Sequence, residues 1–185
     1  MAENAPTPPG GAPAGGAQQA GAQPPRMTIL SQYIKDLSFE NPRAPSSLDP
    51  SRSRPEIQIR VDVRAQDLGA ERYEVIFQLH VEAKTGDEPV FMVELTYGGL
   101  FSLSNVPQET LQPVLLIECP RLLFPFARRI VADVTRDGGF PPLMVDPIDF
   151  VTLYRRRQEQ QAQAGAAAEP QAKSQASPNG GESPA

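Results

Sequence analysis

Between Glu56 and Arg64 every second residue is apolar and β-branched: Ile57, Ile59, Val61 and Val63 alternate with Glu56, Gln58, Arg60, Asp62 and Arg64. A helix would scatter those four side chains around its circumference, whereas a pleated strand sends them all to one side. The segment therefore reads as a strand with one apolar and one wet face. The same period recurs in Tyr73–Ala83, whose apolar row is Tyr73, Val75, Phe77, Leu79 and Val81. It recurs again in Val90–Tyr97, a strand expected to end at Gly98-Gly99. A polar turn containing Gly69 and the turn Thr85-Gly86-Asp87-Glu88-Pro89 join the three runs. Connections that short make an antiparallel meander.

A shorter alternation lies upstream, in Gln32–Glu40. Regular pleating assigns Tyr33, Lys35, Leu37 and Phe39 to one face and Ile34, Asp36, Ser38 and Glu40 to the other. Asn41–Pro55 then carries Pro42, Pro45, Pro50 and Pro55, and proline cannot donate to a ladder, so this stretch is a long connection. Its length lets the first strand cross over and pair beside the fourth. After Pro107 the period changes. Gln108–Ile117 reads as a short helix before Cys119-Pro120, and Leu122–Asp137 as a longer one, with Pro125 in its first turn and Gly138-Gly139 as its stop. A third helix begins at the N-cap Asp149 with Phe150, Leu153 and Tyr154. The expected fold class is α+β: a four-stranded antiparallel sheet with a crossover connection after strand one and helices packed on one face.

The chain has 185 residues, but its ends contribute little to a core. Residues 1–26 are almost all Ala, Gly, Pro and Gln, and residues 158–185 are dominated by Gln, Ala, Glu, Ser and Pro. Neither has the apolar mass to offset the entropy of ordering it, so both are expected to be disordered tails around one domain at 27–157. The net charge of −5 excludes a large basic footprint for nucleic acid. The run Arg155-Arg156-Arg157 reads as a solvated helix face. One cysteine, Cys119, cannot form an internal disulfide, and no apolar run approaches 18 residues. With no charged-then-apolar leader at the N-terminus, the expectation is a cytoplasmic chain.

Catalytic equipment is sparse. His80 is the single histidine and shares a strand face with Gln78 and Glu82, which reads as a partly exposed polar position. No second His or paired Cys completes a metal site, and Cys119 before Pro120 reads as a small buried hydrophobe. Neither Gly-Gly pair is followed by Lys-Ser/Thr, so no phosphate loop is present. The expectation is a binding protein, not an enzyme, with no cofactor and no metal.

Several segments, in order, resemble the SecB family of bacterial protein-export chaperones: Tyr33-Ile34-Lys35-Asp36-Leu37-Ser38-Phe39-Glu40-Asn41-Pro42 with Ala44-Pro45, then Phe91-Met92-Val93-Glu94-Leu95 and Gly98-Gly99-Leu100-Phe101-Ser102. Cys119-Pro120, Leu123-Phe124-Pro125-Phe126-Ala127-Arg128, Gly139-Phe140-Pro141-Pro142-Leu143 and Pro147-Ile148-Asp149-Phe150 continue the series. The resemblance implies a homotetramer, a dimer of dimers, that holds unfolded precursor polypeptides without ATP and delivers them to the SecA motor. It implies SecA contacts at Asp36, Glu40, Met92 and Glu94, and a client groove at Ile57, Ile59, Val61, Phe150 and Leu153. It also implies subunit contacts at Val93, Leu95, Tyr97, Phe124, Phe126, Ile130 and Val134. From the residues alone, the carboxylates read first as plain solvent-facing charges, and the apolar rows read equally well as monomer core. Two other readings stay open: an adaptor specialised for one partner, such as a SecB-like chaperone controlling an antitoxin, and an enzyme of unrecognised type.

Overall fold

Four strands form one antiparallel sheet: β1 (Arg26–Glu40), β2 (Glu56–Asp67), β3 (Arg72–Thr85) and β4 (Glu88–Ser104). Their spatial order is β1-β4-β3-β2, so the meander and the crossover both stand as expected. The computed structural model describes residues 23–49, 51 and 53–172, the side chains of the last helix only as far as 163. Helices α1 (Gln108–Pro113), α2 (Cys119–Asp137) and α3 (Phe150–Ala172) follow the sheet. α3 runs past residue 157, where the sequence reading ends the domain, because Gln, Ala and Glu are good helix formers. Residues 1–22 and 173–185, most of the two expected tails, lie outside the described residues.

β4 does not end at Gly98-Gly99; it runs on to Ser104, and β1 starts at Arg26 to pair with the added length. The glycines are there for close approach instead of a turn. A Cβ on Gly98 would lie 2.6 Å from the Tyr33 ring, and one on Gly99 would lie 2.6 Å from Phe101 and 2.7 Å from Leu123. Each glycine thus admits a side chain to one face of the sheet.

β1 also departs from regular pleating. Its register against β4 slips between Ile29 and Ser31 and again between Ile34 and Asp36, so Leu30 and Lys35 are bulged. Leu37 and Phe39 face the helices, as do Ile34 opposite Tyr97 and Ile29 opposite Phe101. Tyr33 lies opposite Gly98 on the outer face, not with Leu37 and Phe39 as regular alternation had it, and the bulge takes Lys35 off that helix side as well. Tyr33 crosses the gap that Gly98 leaves and donates to the Glu74 carboxylate on β3 at 2.5 Å, while Lys35 Nζ reaches Glu74 at 3.0 Å. The Tyr33 hydrogen bond first, and then Lys35, holds the Glu74 carboxyl below its usual range, and burial first pushes the Tyr33 phenol up to about 12.

The helices form one layer. α1 does not stop before Cys119-Pro120; one wider turn, Val114–Glu118, joins it to α2. Pro120 has no N–H to donate back along the helix, which loosens the turn before it. Pro125 consequently sits inside α2 instead of in its first turn, with its ring exposed. α2 lies across β4 and β3, packing Leu123, Phe124, Ala127 and Val131 on Phe77, Leu79, Leu95 and Phe101. Phe77, Phe124 and Phe150 meet edge to face with centroids 6.0–6.3 Å apart. A second cluster, Phe39, Phe91 and Phe140, ties the end of β1 to the segment after α2. Buried Thr135 fixes that segment: its hydroxyl donates to the Val131 carbonyl and accepts from the Leu143 N–H, both at 2.9 Å. Asp149 caps α3 as expected, accepting from the Val151 and Thr152 amides at 3.0 and 3.1 Å.

Two outcomes test this account. Gly98→Ala should lower the unfolding free energy by about 1–3 kcal/mol in urea titrations, because Tyr33 must give way. In a Tyr33→Ala background the same change should cost little more, since the colliding ring is gone. The stability gap between the native chain and Tyr33→Phe should be largest near neutral pH. A depressed carboxyl contributes its stabilisation above its unfolded pKa, so the gap should shrink as acid titrates Glu74 in thermal melts.

Candidate functional site

On the sheet face away from the helices, the β1–β4 pairing assembles the four residues proposed to meet SecA. Asp36 lies opposite Thr96, Ser38 opposite Glu94, and Glu40 opposite Met92. Directly opposed residues share a face, so Asp36 and Glu40 sit diagonally on either side of Glu94, with Met92 beside Glu40. Asp36 and Glu40 are exposed and have no ion pair among the described residues; Glu94 is 60% exposed. Three other carboxylates on this face are matched: Glu74 with Lys35, Glu82 with Lys84 at 2.7 Å, and Asp62 with Arg64 at 2.8 Å; Arg60 stands on the β2 side, opposite His80. The surplus is negative and gathers over β1 and β4. The pairing of His80 with this cluster was missed: it lies opposite Glu94, with Nδ1 2.9 Å from Oε1. The sequence signal was a histidine on the wet face of β3 next to Glu82.

On the helix side, β2 forms the other edge of the sheet. Ile57 and Val61 are half-buried and Ile59 is 38% exposed. Between β2 and α3 runs an open cleft of about 430 Å³, lined by Val61, Val63, Leu116, Leu153 and Tyr154. Phe150 does not line it: at 1% exposed it belongs to the aromatic core, behind the cleft instead of in it. Arg157, read as part of a solvated run, instead donates to the Val63 carbonyl and lies 3.9 Å from Asp62, fastening α3 to the edge strand.

The residues assigned to subunit contacts divide. Val93, Leu95, Tyr97, Phe124 and Ile130 are buried within this chain, because α2 itself covers that face of β4. Val134 is half-buried, and only Phe126, 45% exposed, points away from the core. α2 leaves β1 largely uncovered, so Met27, Ile29, Ile34 and Leu37 remain exposed on the helix side, and Leu122 is exposed on α2. The sequence reading started β1 too late to count the first two. Cys119 is fully buried 3.7 Å from the Met27 sulfur, and desolvation pushes its thiol up to about 12, as suits a small core residue.

Residues 19–161 match the family model of the preprotein translocase subunit SecB. The chain belongs to the SecB family. The protein-export protein SecB of Parvibaculum lavamentivorans is 56% identical over 146 residues, covering 79% of this chain and 87% of that protein. That of a Bradyrhizobium strain is 58% identical over 143 residues, 77% and 88% of the two chains. A SecB-like chaperone of Mycobacterium tuberculosis, solved with a peptide from an antitoxin, matches with a TM-score of 0.55 at 16% identity, over 67% of this chain and 91% of that one. That likeness is one of fold. The SecB relatives are named for protein export, a non-enzymatic role. Among the described residues no helix is long and apolar enough to cross a membrane.

Two of the residues expected to form a client groove give a direct contrast. Phe150→Ala should cost about 3–5 kcal/mol of stability in denaturant titration, because it empties the centre of an aromatic triad. Ile59→Ser should cost no more than about 1 kcal/mol, since the side chain is already partly wet.

Proposed function

We propose that this SecB-family chain is an ATP-independent chaperone of protein export in the cytoplasm, which binds unfolded precursor polypeptides and delivers them to SecA. What carries the reading is the separation of two chemically different surfaces on opposite sides of one sheet. The outer face offers Asp36, Glu40 and Glu94 with Met92 at their edge, a negative cluster in which Glu94 alone has a side-chain partner, His80. Such a cluster suits a cationic docking surface, where complementary charge raises the rate of encounter and fixes register. The helix side offers Val61 and Leu153 in the cleft, with Ile57 and Ile59 continuing the same apolar row of β2 beyond it. A client held there is unfolded by definition, and binding the unfolded chain in preference to the folded one keeps it open by mass action. No nucleotide step is needed for that.

The chain acts as a homotetramer, a dimer of dimers. Support comes from the apolar side chains left open on β1 and α2, namely Met27, Ile29, Ile34, Leu37, Leu122 and Phe126. Exposed large apolar side chains on one side of a sheet suit an association surface in a chain otherwise rich in exposed charge. The buried residues Val93, Leu95, Phe124 and Ile130 would support such a contact from beneath.

The reading is tested by reversing the charges at Asp36, Glu40 and Glu94 together. SecA binding, followed by calorimetry, should be lost, and in the native chain it should weaken as salt rises. The same variant should keep its mass in light scattering, expected at four subunits of 20.1 kDa. It should also still delay the refolding of a denatured precursor without ATP. Retained SecA binding would reduce the cluster to a solvated surface.

A further inference from the structure

Glu94 is the central carboxylate of the outer cluster and the one with an identified tether. We infer that His80 is a positioning residue for this docking face, holding the Glu94 carboxylate in place and making the attraction for a cationic partner depend on protons. The inference rests on the docking role proposed for the cluster. His80 and Glu94 are opposed across β3 and β4, with Nδ1 and Oε1 2.9 Å apart. The histidine side chain is 27% exposed, so its second nitrogen can exchange protons with solvent.

In the neutral ring, Nδ1–H donates to Glu94 and Nε2 carries a lone pair. This arrangement fixes the carboxylate and leaves its full negative charge. When a proton is taken up at Nε2 the ring becomes an imidazolium, and its positive charge cancels that of Glu94 across the same hydrogen bond. Histidine is the side chain whose charge changes between about pH 5 and 8. The chain has only one, so no other histidine of its own contributes to this range.

The surroundings set the sign of the effect. Arg60 on β2 lies directly opposite His80, on the side away from Glu94. Glu82 lies two residues along β3, and Asp62 and Asp36 line the same shallow depression as His80, Arg60 and Glu94. Glu82 and Asp62 are already matched by Lys84 and Arg64. Protonation therefore joins His80 to Arg60 as a second positive charge beside the cluster, while Asp36 and Glu40 alone stay unmatched. A cationic surface loses its central anchor and meets repulsion next to it.

The experiment compares the affinity of the native chain and of His80→Asn for SecA at low salt, from about pH 8 to about pH 5.5. The asparagine amide nitrogen occupies the place of Nδ1 and can donate to Glu94, but it does not titrate. Near pH 8 both should bind. On acidification the native chain should weaken by about threefold more than the variant, the scale of an exposed charge pair. His80→Lys should bind weakly throughout, with the protonated behaviour fixed in place. His80→Gln serves as a second non-titrating variant if asparagine loosens the strand, as seen by circular dichroism. Identical pH profiles for the native chain and the non-titrating variants overturn the inference while leaving the docking face intact. Absence of SecA binding by the native chain at every pH overturns the docking reading and this inference with it.

Discussion

Pairing β1 with β4, at the opposite edge of the sheet from β2, decides which residues of this chain are brought together. The connection must carry the backbone across two intervening strands, a width of about 15 Å. Asn41–Pro55 has length to spare, and the structure takes up the excess by pinning it. Ser47 donates to Asn41 at 2.6 Å, Arg43 pairs with Glu88 at the tip of the β3–β4 hairpin, and Phe39 packs on Phe91 and Phe140. With β1 so placed, carboxylates more than fifty residues apart in sequence become cross-strand neighbours. The same choice leaves β1 and β2 as the two edges, each with apolar side chains toward the helices.

Much of this arrangement follows from period-two alternation. β2, β3 and the first half of β4 have one side of β-branched and aromatic residues and one of polar residues, and both faces were readable before any coordinates. So were the crossover and the Asp149 cap, because proline density and capping chemistry are local signals. The bulges in β1 were not readable. Nothing in Tyr33-Ile34-Lys35-Asp36 announces an extra residue, since a bulge is set by the partner strand and by the space Gly98 leaves for Tyr33. Gly98-Gly99 itself reads as a stop when only one strand is in view. The two sides of α2 were equally ambiguous: Phe124 and Phe126 are alike by sequence, and only the placement of α2 over β3 and β4 buries one and leaves the other open. Phe150 was misplaced for the same reason, because an apolar residue at a helix start can line a groove or fill a core.

The two faces differ in how tightly substitutions are constrained. On the outer face the proposed docking groups are exposed carboxylates whose loss removes little packing. On the inner face the proposed groove wall and the hydrophobic core are continuous, and residues four positions apart pass from one to the other. Ile59 and Val63 lie on the same row of β2, yet one is partly wet and the other is buried and linked through its carbonyl to Arg157. A wall built this way cannot be reshaped far without unsettling the fold. The outer face is free to vary in charge while the framework stays put.

The bulges at Leu30 and Lys35 can be counted as two changes of parity along one strand. From Phe39 back to Leu37 the odd-numbered residues look toward the helices; between the bulges the even-numbered Ile34 and Gln32 do; beyond the second, odd-numbered Ile29 and Met27 do so again. The inversions cancel, so the far end of β1 is in phase with its near end even though the middle is not. Flattening one bulge while keeping its residue would therefore turn everything upstream of it inside out, sending Met27 and Ile29 to the wet side. Deleting an inserted residue together with its bulge would leave each upstream residue opposite its present partner, in a shorter strand. A length change in this strand is tolerable where a bulge absorbs it and disruptive where none does.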